Sequence, residues 1–160
     1  MGRQPSEIRD IVLTHFDADH VGSAAALKAR TGARVSIHEL DAPVLAKREP
    51  PRKRMLLVVA LYRLLVRPVA ADRLLRDGDT IGGLHVVEVP GHTAGSIVLV
   101  RDDAVVFTGD ALVTDKHRNL LPPDTRLAED PAQAIESAGK ITALNPRTLL
   151  PGHGTPSTAA

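Results

Sequence analysis

The chain has 160 residues, 43% of them hydrophobic and 24% charged, which is enough apolar material for one globular core and too much for a disordered chain. A formal net charge of +1 supplies no global attraction to nucleic acid or to an acidic membrane. With no cysteine in the sequence, disulfides, thiolate-bound zinc, iron–sulfur clusters and thiol nucleophiles are excluded, and any metal must be held by nitrogen and oxygen.

Residues 1–10 are polar and carry no apolar stretch of the signal-peptide kind, so the expectation is a soluble, cytoplasmic protein forming a single domain over residues 1–160. Residues 8–14, Ile-Arg-Asp-Ile-Val-Leu-Thr, predict a short buried strand. The polar stretch 15–20 follows as a loop. A helix of small residues is expected over 23–29, ended by Thr31-Gly32. Residues 33–38 predict a second strand, parallel to the first because a helix intervenes. A short helix is expected over 39–47, broken by Glu49-Pro50-Pro51.

The apolar run 55–62 stops at Arg63, far short of the roughly 20 residues a membrane-spanning helix needs. It reads as a helix over 55–66, with Leu, Val and Tyr on the buried side. Its place in the chain between the polar loops at His20 and His92 makes it the expected wall of a substrate cleft. Beyond residue 72, the turn signals Asp77-Gly78-Asp79 and Gly82-Gly83 separate strands over 84–89, 96–100 and 104–108. The last two join in a hairpin through Asp102-Asp103. Asp130-Pro131 starts a helix running to about residue 143, with an N-cap and a proline in its first turn. Residues 147–150 make a final strand.

Four strand-end loops carry the chemistry. The first is His15-Phe16-Asp17-Ala18-Asp19-His20, where alternate residues of an extended stretch share a face. Two imidazoles and two carboxylates in six residues would repel one another or lose hydration without a cation. The others are Pro90-Gly91-His92-Thr93-Ala94-Gly95-Ser96, Phe107-Thr108-Gly109-Asp110 and Pro151-Gly152-His153-Gly154. Together they offer His15, Asp17, Asp19, His20, His92, Asp110 and His153, about enough donors for two divalent ions sharing a carboxylate.

In this order and spacing the loops resemble the metallo-β-lactamase superfamily, whose hallmark is H-x-H-x-D-H followed by a lone His, a lone Asp and a last His. Thr14 before the first histidine, Gly22 after the loop and the stretches around His92, Asp110 and His153 match as well, so the resemblance runs from about residue 11 to 156. It implies an α/β fold, the αββα sandwich of that family. It also implies two divalent metal ions, zinc in the first instance, with iron or manganese as alternatives. One ion would take His15, Asp17 and His92, and the other Asp19, His20 and His153. Asp110 would bridge them, with Asp19 orienting a shared hydroxide as the catalytic residue.

Two departures stand out. Asp17 occupies the place of the family's second histidine; a carboxylate is a harder ligand and shifts preference from zinc towards iron or manganese. Only residues 1–7 precede the first strand, where the family has several strands. The expectation is therefore an N-terminally shortened sandwich with an uncovered sheet edge, prone to self-association.

His38 and His85 are expected at the surface and His117 on a polar loop. Arg52-Lys53-Arg54 is expected to be a solvated helix start. Thr93 and Ser96 are expected to brace the His92 turn, since no G-x-S-x-G element supports a serine hydrolase. The leading function is a metal-dependent hydrolase of an ester, thioester or lactone-like small molecule. A nucleic-acid phosphodiesterase, a redox di-iron protein and a non-catalytic metal-binding scaffold are the alternatives. The partner expected is a small-molecule substrate, with neither nucleic acid nor membrane.

Overall fold

The computed structural model describes residues 2, 4–52, 56–102 and 104–158. Lys53, Arg54, Met55 and Asp103, which fall in the basic cluster, the helix start and the hairpin read from sequence, lie outside the described residues.

The first strand, β1 (Asp10–Val12), leads through two helices, α1 (Ala18–Val21) and α2 (Ala24–Thr31), to β2 (Arg34–His38). The two strands are parallel, with Ile11 opposite Val35, as a helical crossover requires. Next come α3 (Ala42–Leu45), α4 (Leu56–Leu65) and β3 (Arg73–Leu75), the last adding parallel to β2. The chain continues as β4 (Thr80–Ile81), β5 (Leu84–Glu88), β6 (Ile97–Arg101) and β7 (Val105–Gly109). A small ribbon of β8 (Val113–Thr114) and β9 (Leu120–Leu121) follows. After it come α5 (Pro131–Ala143), β10 (Thr148–Pro151) and β11 (Ser157–Thr158).

One sheet has the order β1-β2-β3 and a second the order β11-β10-β7-β6-β5-β4. Side-chain alternation along the strands sorts the core into layers. Val35 and Ile37 face outward from the small sheet and pack with Phe16, Val21, Leu45, Tyr62 and Val66 from the helices. Val12 faces the other way and meets Leu75, Val86, Ile97, Leu99 and Phe107 between the two sheets. Val98, Val106 and Leu149 point from the far side of the large sheet to Ile141 of α5. The result is helix, sheet, sheet, helix: the αββα sandwich expected from sequence. Among the described residues no helix is long and apolar enough to cross a membrane.

Three expectations need correction. The stretch 15–20 is not wholly a loop, because its second half is the helical turn α1, whose amides at His20 and Val21 donate to the Asp17 carbonyl. The helix expected over 39–47 shrinks to Ala42–Leu45; Pro43 lacks an N–H and fits only the first turn, so the helix cannot begin much earlier. Among the described residues of α4, the stripe through Tyr62 and Val66 faces the core. Its leucines point out, with Leu56 82%, Leu57 65%, Leu64 79% and Leu65 62% exposed. A helix apolar on all sides carries no signal for which side is buried. β3, β4, β8, β9 and β11 were not anticipated, being too short for alternation to register.

The start of α5 is as expected: the Asp130 carboxylate accepts the Gln133 amide at 3.0 Å, with Pro131 at the first position. Asp130→Ala is therefore expected to cost about 1 kcal/mol. Urea unfolding would check it through a lower midpoint at unchanged slope.

Candidate metal centre

Strand direction brings the loops together. β5 and β7 are each antiparallel to β6, and β10 is parallel to β7, so β5, β7 and β10 end on one edge of the large sheet. The Thr14 carbonyl accepts the Ile97 amide at 2.9 Å, which ties the end of β1 to the same edge. His15, His92, Asp110 and His153 each follow one of these strand ends. α1 then adds Asp19 and His20 by turning back over His15, their ring centroids 4.1 Å apart for His15 and His20.

All seven residues named from sequence meet here, in three overlapping groups whose donor atoms lie within 4.8 Å of one another: His15, Asp17 and His92; His15, His20 and Asp110; Asp19, His20 and His153. The first group is deep, with His15 1% and His92 3% exposed. The last lies at the mouth, where the Asp19 and His153 side chains are more than half exposed. Asp110 sits between, its carboxylate 3.1 Å from His20, 3.5 Å from His153, 3.8 Å from His92 and 4.0 Å from His15.

The residues fit a cation. His15 Nδ1 lies 3.0 Å from the Thr14 hydroxyl, while its Nε2 is buried with no hydrogen-bond partner among the described residues. When Nδ1–H donates to Thr14, the Nε2 lone pair faces the cluster, the arrangement a metal ligand needs. Nε2 atoms of His20 and His153 face each other at 3.3 Å, a spacing that calls for a proton or a cation between them.

Burial lowers the His15 pKa to about 3, against the opposing pull of Asp17, so this ring is neutral and ready to ligate. Burial would also lower His20, but the hydrogen bond and charge of Asp110, with Asp19 and Asp17 behind it, outweigh it and the pKa rises. At Asp110 burial works upward and is overcome by His20, His15 and His92, leaving the carboxyl below its usual range.

Sequence reasoning missed Asp41, which is 1% exposed. Its carboxylate accepts the Phe16 amide at 3.2 Å, the Thr93 hydroxyl at 2.7 Å and the Gly95 amide at 2.9 Å. One side chain thus binds the His15–Asp17 loop to the His92 turn. A Cβ on Gly95 would stand 2.6 Å from Asp41 Oδ1, so glycine is needed there for space. Thr93 and Ser96 brace the turn as expected, the Ser96 hydroxyl accepting the Thr93 amide at 2.9 Å. Those two buried hydroxyls were the only hint of a carboxylate beneath them. From the other side the Glu129 carboxylate accepts the Ala94 amide, and the Glu129 and Asp130 amides donate to the His92 and Gly91 carbonyls.

The remaining histidines stay out of the cluster. His38 is not at the surface: it is 2% exposed and pairs with Glu88 at 2.7 Å, joining the ends of β2 and β5, so strand-end position alone misjudged it. His85 is exposed and meets Asp102 at 2.8 Å. His117 is exposed on the loop between β8 and β9.

A cavity of about 640 Å³ opens over the cluster, bounded at its base by Asp17, Asp19, His92, Asp110 and His153 and on its sides by Leu61, Leu65, Val113 and Leu127. α4 does wall the cleft, through leucines that were expected to be buried.

The sequence profile described as the metallo-beta-lactamase superfamily matches residues 1–153. The probable metallo-hydrolase YflN of Bacillus subtilis is 30% identical, the match covering 95% of this chain and 66% of that protein. A hydroxyacylglutathione hydrolase of Cereibacter sphaeroides is 36% identical over 89% of this chain and 47% of its own length. The chain thus spans about half to two thirds of these curated relatives. Among solved structures, TTHA1623 in a di-iron-bound form superposes with a TM-score of 0.73 at 30% identity, over 93% of this chain and 71% of that one. A metallo-beta-lactamase family protein of Thermus thermophilus gives 0.76 over 98% and 58% at 24% identity, and so attests to the fold alone.

Asp41→Asn keeps the shape of the side chain but sets an NH2 against N–H and O–H donors. Metal affinity is expected to fall about 10- to 100-fold, read by competition with a chromophoric chelator while the far-UV spectrum stays unchanged. Burial raises the Asp41 pKa from 3.8 to about 6, so the folded chain holds this proton more tightly than the unfolded one. In metal-free protein the wild type should therefore gain stability relative to Asp41→Asn as pH falls from about 7 to about 4, by up to about 3 kcal/mol. A stability gap that ignores pH over that window would refute the assignment.

Proposed function

The chain belongs to the metallo-beta-lactamase superfamily, and we propose that it is a metal-dependent hydrolase of an ester, thioester or lactone-like small molecule. The observation that carries this is the convergence of seven nitrogen and oxygen donors at one sheet edge, beneath a cavity of small-molecule size. The named activities of the relatives, a metallo-hydrolase and a thioester hydrolase, support the same reaction class.

Divalent cations bound here would supply Lewis acidity and a water of lowered pKa. His15, Asp17 and His92 would hold one ion, Asp19, His20 and His153 the other, with Asp110 between them. His15 enters in its neutral form, so ligation costs no deprotonation at neutral pH. Asp19, half in solvent at the cavity floor and 3.0 Å from His153 Nε2, would orient the attacking water and take its proton. No serine or cysteine nucleophile is required.

A redox di-iron protein is the second reading. It is favoured by the carboxylate at Asp17, which suits iron better than imidazole does, and by the di-iron form of a relative at 30% identity. Iron-loaded protein that consumes dioxygen in the presence of a reductant but cleaves no ester, thioester or lactone would establish it over hydrolysis.

Elemental analysis after reconstitution with zinc, manganese or iron is expected to give close to two equivalents per chain, together with turnover in a screen of esters, thioesters and lactones. Asp110→Ala is expected to drop metal content below one equivalent and to cut hydrolysis by at least about a hundredfold, since the cations then lose the carboxylate between them. Full metal content in that variant would remove Asp110 from the site.

A further inference from the structure

We propose that the substrate of this site is an uncharged ester carrying an apolar acyl chain, and that α4, with Leu127 and the β8–β9 ribbon, forms the subsite for that chain. The proposal rests on the hydrolase reading above and extends it to the part of the substrate distant from the bond that breaks.

Two stripes run along α4. Tyr62 and Val66, four residues apart, pack into the core, and the Tyr62 hydroxyl donates to the Val44 carbonyl at 2.9 Å. That anchoring fixes the rotation of the helix. It leaves Leu61 and Leu65, the next pair four apart, lining the cavity over the cluster while still 43% and 62% exposed. Val113 and Leu127 line it as well. Leu121, the cross-strand partner of Val113, is 40% exposed, and directly paired side chains share a face of the ribbon, so the apolar surface continues outward from the cavity. Exposed apolar surface beside the cluster is what a hydrocarbon chain would cover.

The charges lining the cavity argue for a neutral ligand. Asp17, Asp19 and Asp110 belong to the cluster at its base. The other two charged residues, Asp124 and Arg126, hold each other: Arg126 Nε donates to Asp124 Oδ1 at 3.0 Å and its terminal nitrogen to Oδ2 at 2.7 Å. Among the described lining residues no other cation is present to receive a carboxylate or phosphate. Away from the cluster that would hold the cations, a charged thiol carrier would find leucines and no unpaired cation among the described lining residues, whereas a neutral acyl chain meets its complement. The chemistry is plain hydrolysis. The oxygen of water bonds to the acyl carbon, and the acyl–oxygen bond breaks with its electron pair on the alcohol oxygen. That oxygen takes one proton of the water, and the other is released as the product acid ionises.

The test uses the full chain reconstituted with zinc or iron. Binding of methyl ketones of increasing chain length, neutral and resistant to hydrolysis, is measured by calorimetry, and kcat/KM is measured on p-nitrophenyl esters from acetyl to decanoyl. Binding and kcat/KM are expected to rise up to about fourfold per added methylene until the cavity fills. Leu61→Ser with Leu65→Ser should flatten both series; neither side chain belongs to the buried core, and an unchanged far-UV spectrum checks that the fold is kept. Leu64→Ser, on the helix but outside the cavity lining, should reproduce the wild-type series. Flat wild-type series, or the same flattening from Leu64→Ser, would each overturn the proposal. Length-dependent ketone binding with no ester turned over would uphold the apolar subsite and sink the hydrolase reading, so the two failures are separable.

Discussion

Three carboxylates and four imidazoles crowd into three overlapping groups, each with its donor atoms within 4.8 Å of one another, and the rest of the structure is arranged around that crowding. The Asp110 carboxylate stands within 4.0 Å of all four imidazoles, a range at which charges in a partly buried site interact strongly. Two imidazole nitrogens 3.3 Å apart cannot both present lone pairs across an empty gap. Without a cation the cluster adjusts by protonation: His20 holds its proton more tightly beside Asp110, and Asp110 releases its own more readily. His15 cannot join in that adjustment, because burial keeps it neutral. Its Nε2 is therefore the atom of the cluster that protonation serves least, and a metal ion would satisfy it directly.

Such a cluster persists only if the backbone beneath it cannot relax. The direction of β5, β7 and β10 sets the ligand-bearing ends side by side, but parallel strands alone do not fix loops that extend beyond them. Asp41 supplies that constraint, since Phe16, Thr93 and Gly95 all donate to it. Its burial is costly, as the upward pKa displacement shows, and three donors offset part of that cost. The start of α5 completes the clamp: Gly91 has φ of +126°, and a Cβ there would run into the Ala134 backbone. The His92 turn is thus held from both sides by groups that touch no ligand atom, the kind of support on which metal affinity depends.

What could be read from the sequence followed from how local each signal was. The ligand loops were legible because histidine and aspartate beside glycine, at the ends of β-branched runs, have few structural uses in common. Asp130-Pro131 was legible because an N-cap and a first-turn proline state one geometry. Asp41 was not, since its three donors come from loops 25 and more than 50 residues away and no local pattern marks a carboxylate for burial. His38 failed in the same way, its partner being Glu88 on a strand far along the chain. The α4 leucines failed for a different reason. Period alone finds an apolar stripe, but α4 has two, and only the tertiary contacts of Tyr62 with Phe16 and Val44 decide which one turns inward.

The two ends of the cluster differ in the same respect. His15 and His92 are buried and tied through neighbouring backbone to Asp41, so their geometry would exist before any ion arrives. Asp19 and His153 are more than half exposed; Asp19 stands on a single helical turn, and His153 follows Gly152, whose amide donates to the Gly109 carbonyl at 2.9 Å. Pre-formed ligands bind without ordering cost, whereas exposed ones must be ordered on binding. On the metallo-hydrolase reading the deep group would serve retention, and the mouth group, which faces the cavity and its leucine wall, the exchange of water and substrate. A hydrolytic site would need both properties at once, and the sandwich offers them by setting one group at the His92 turn and the other on α1 and the turn after β10.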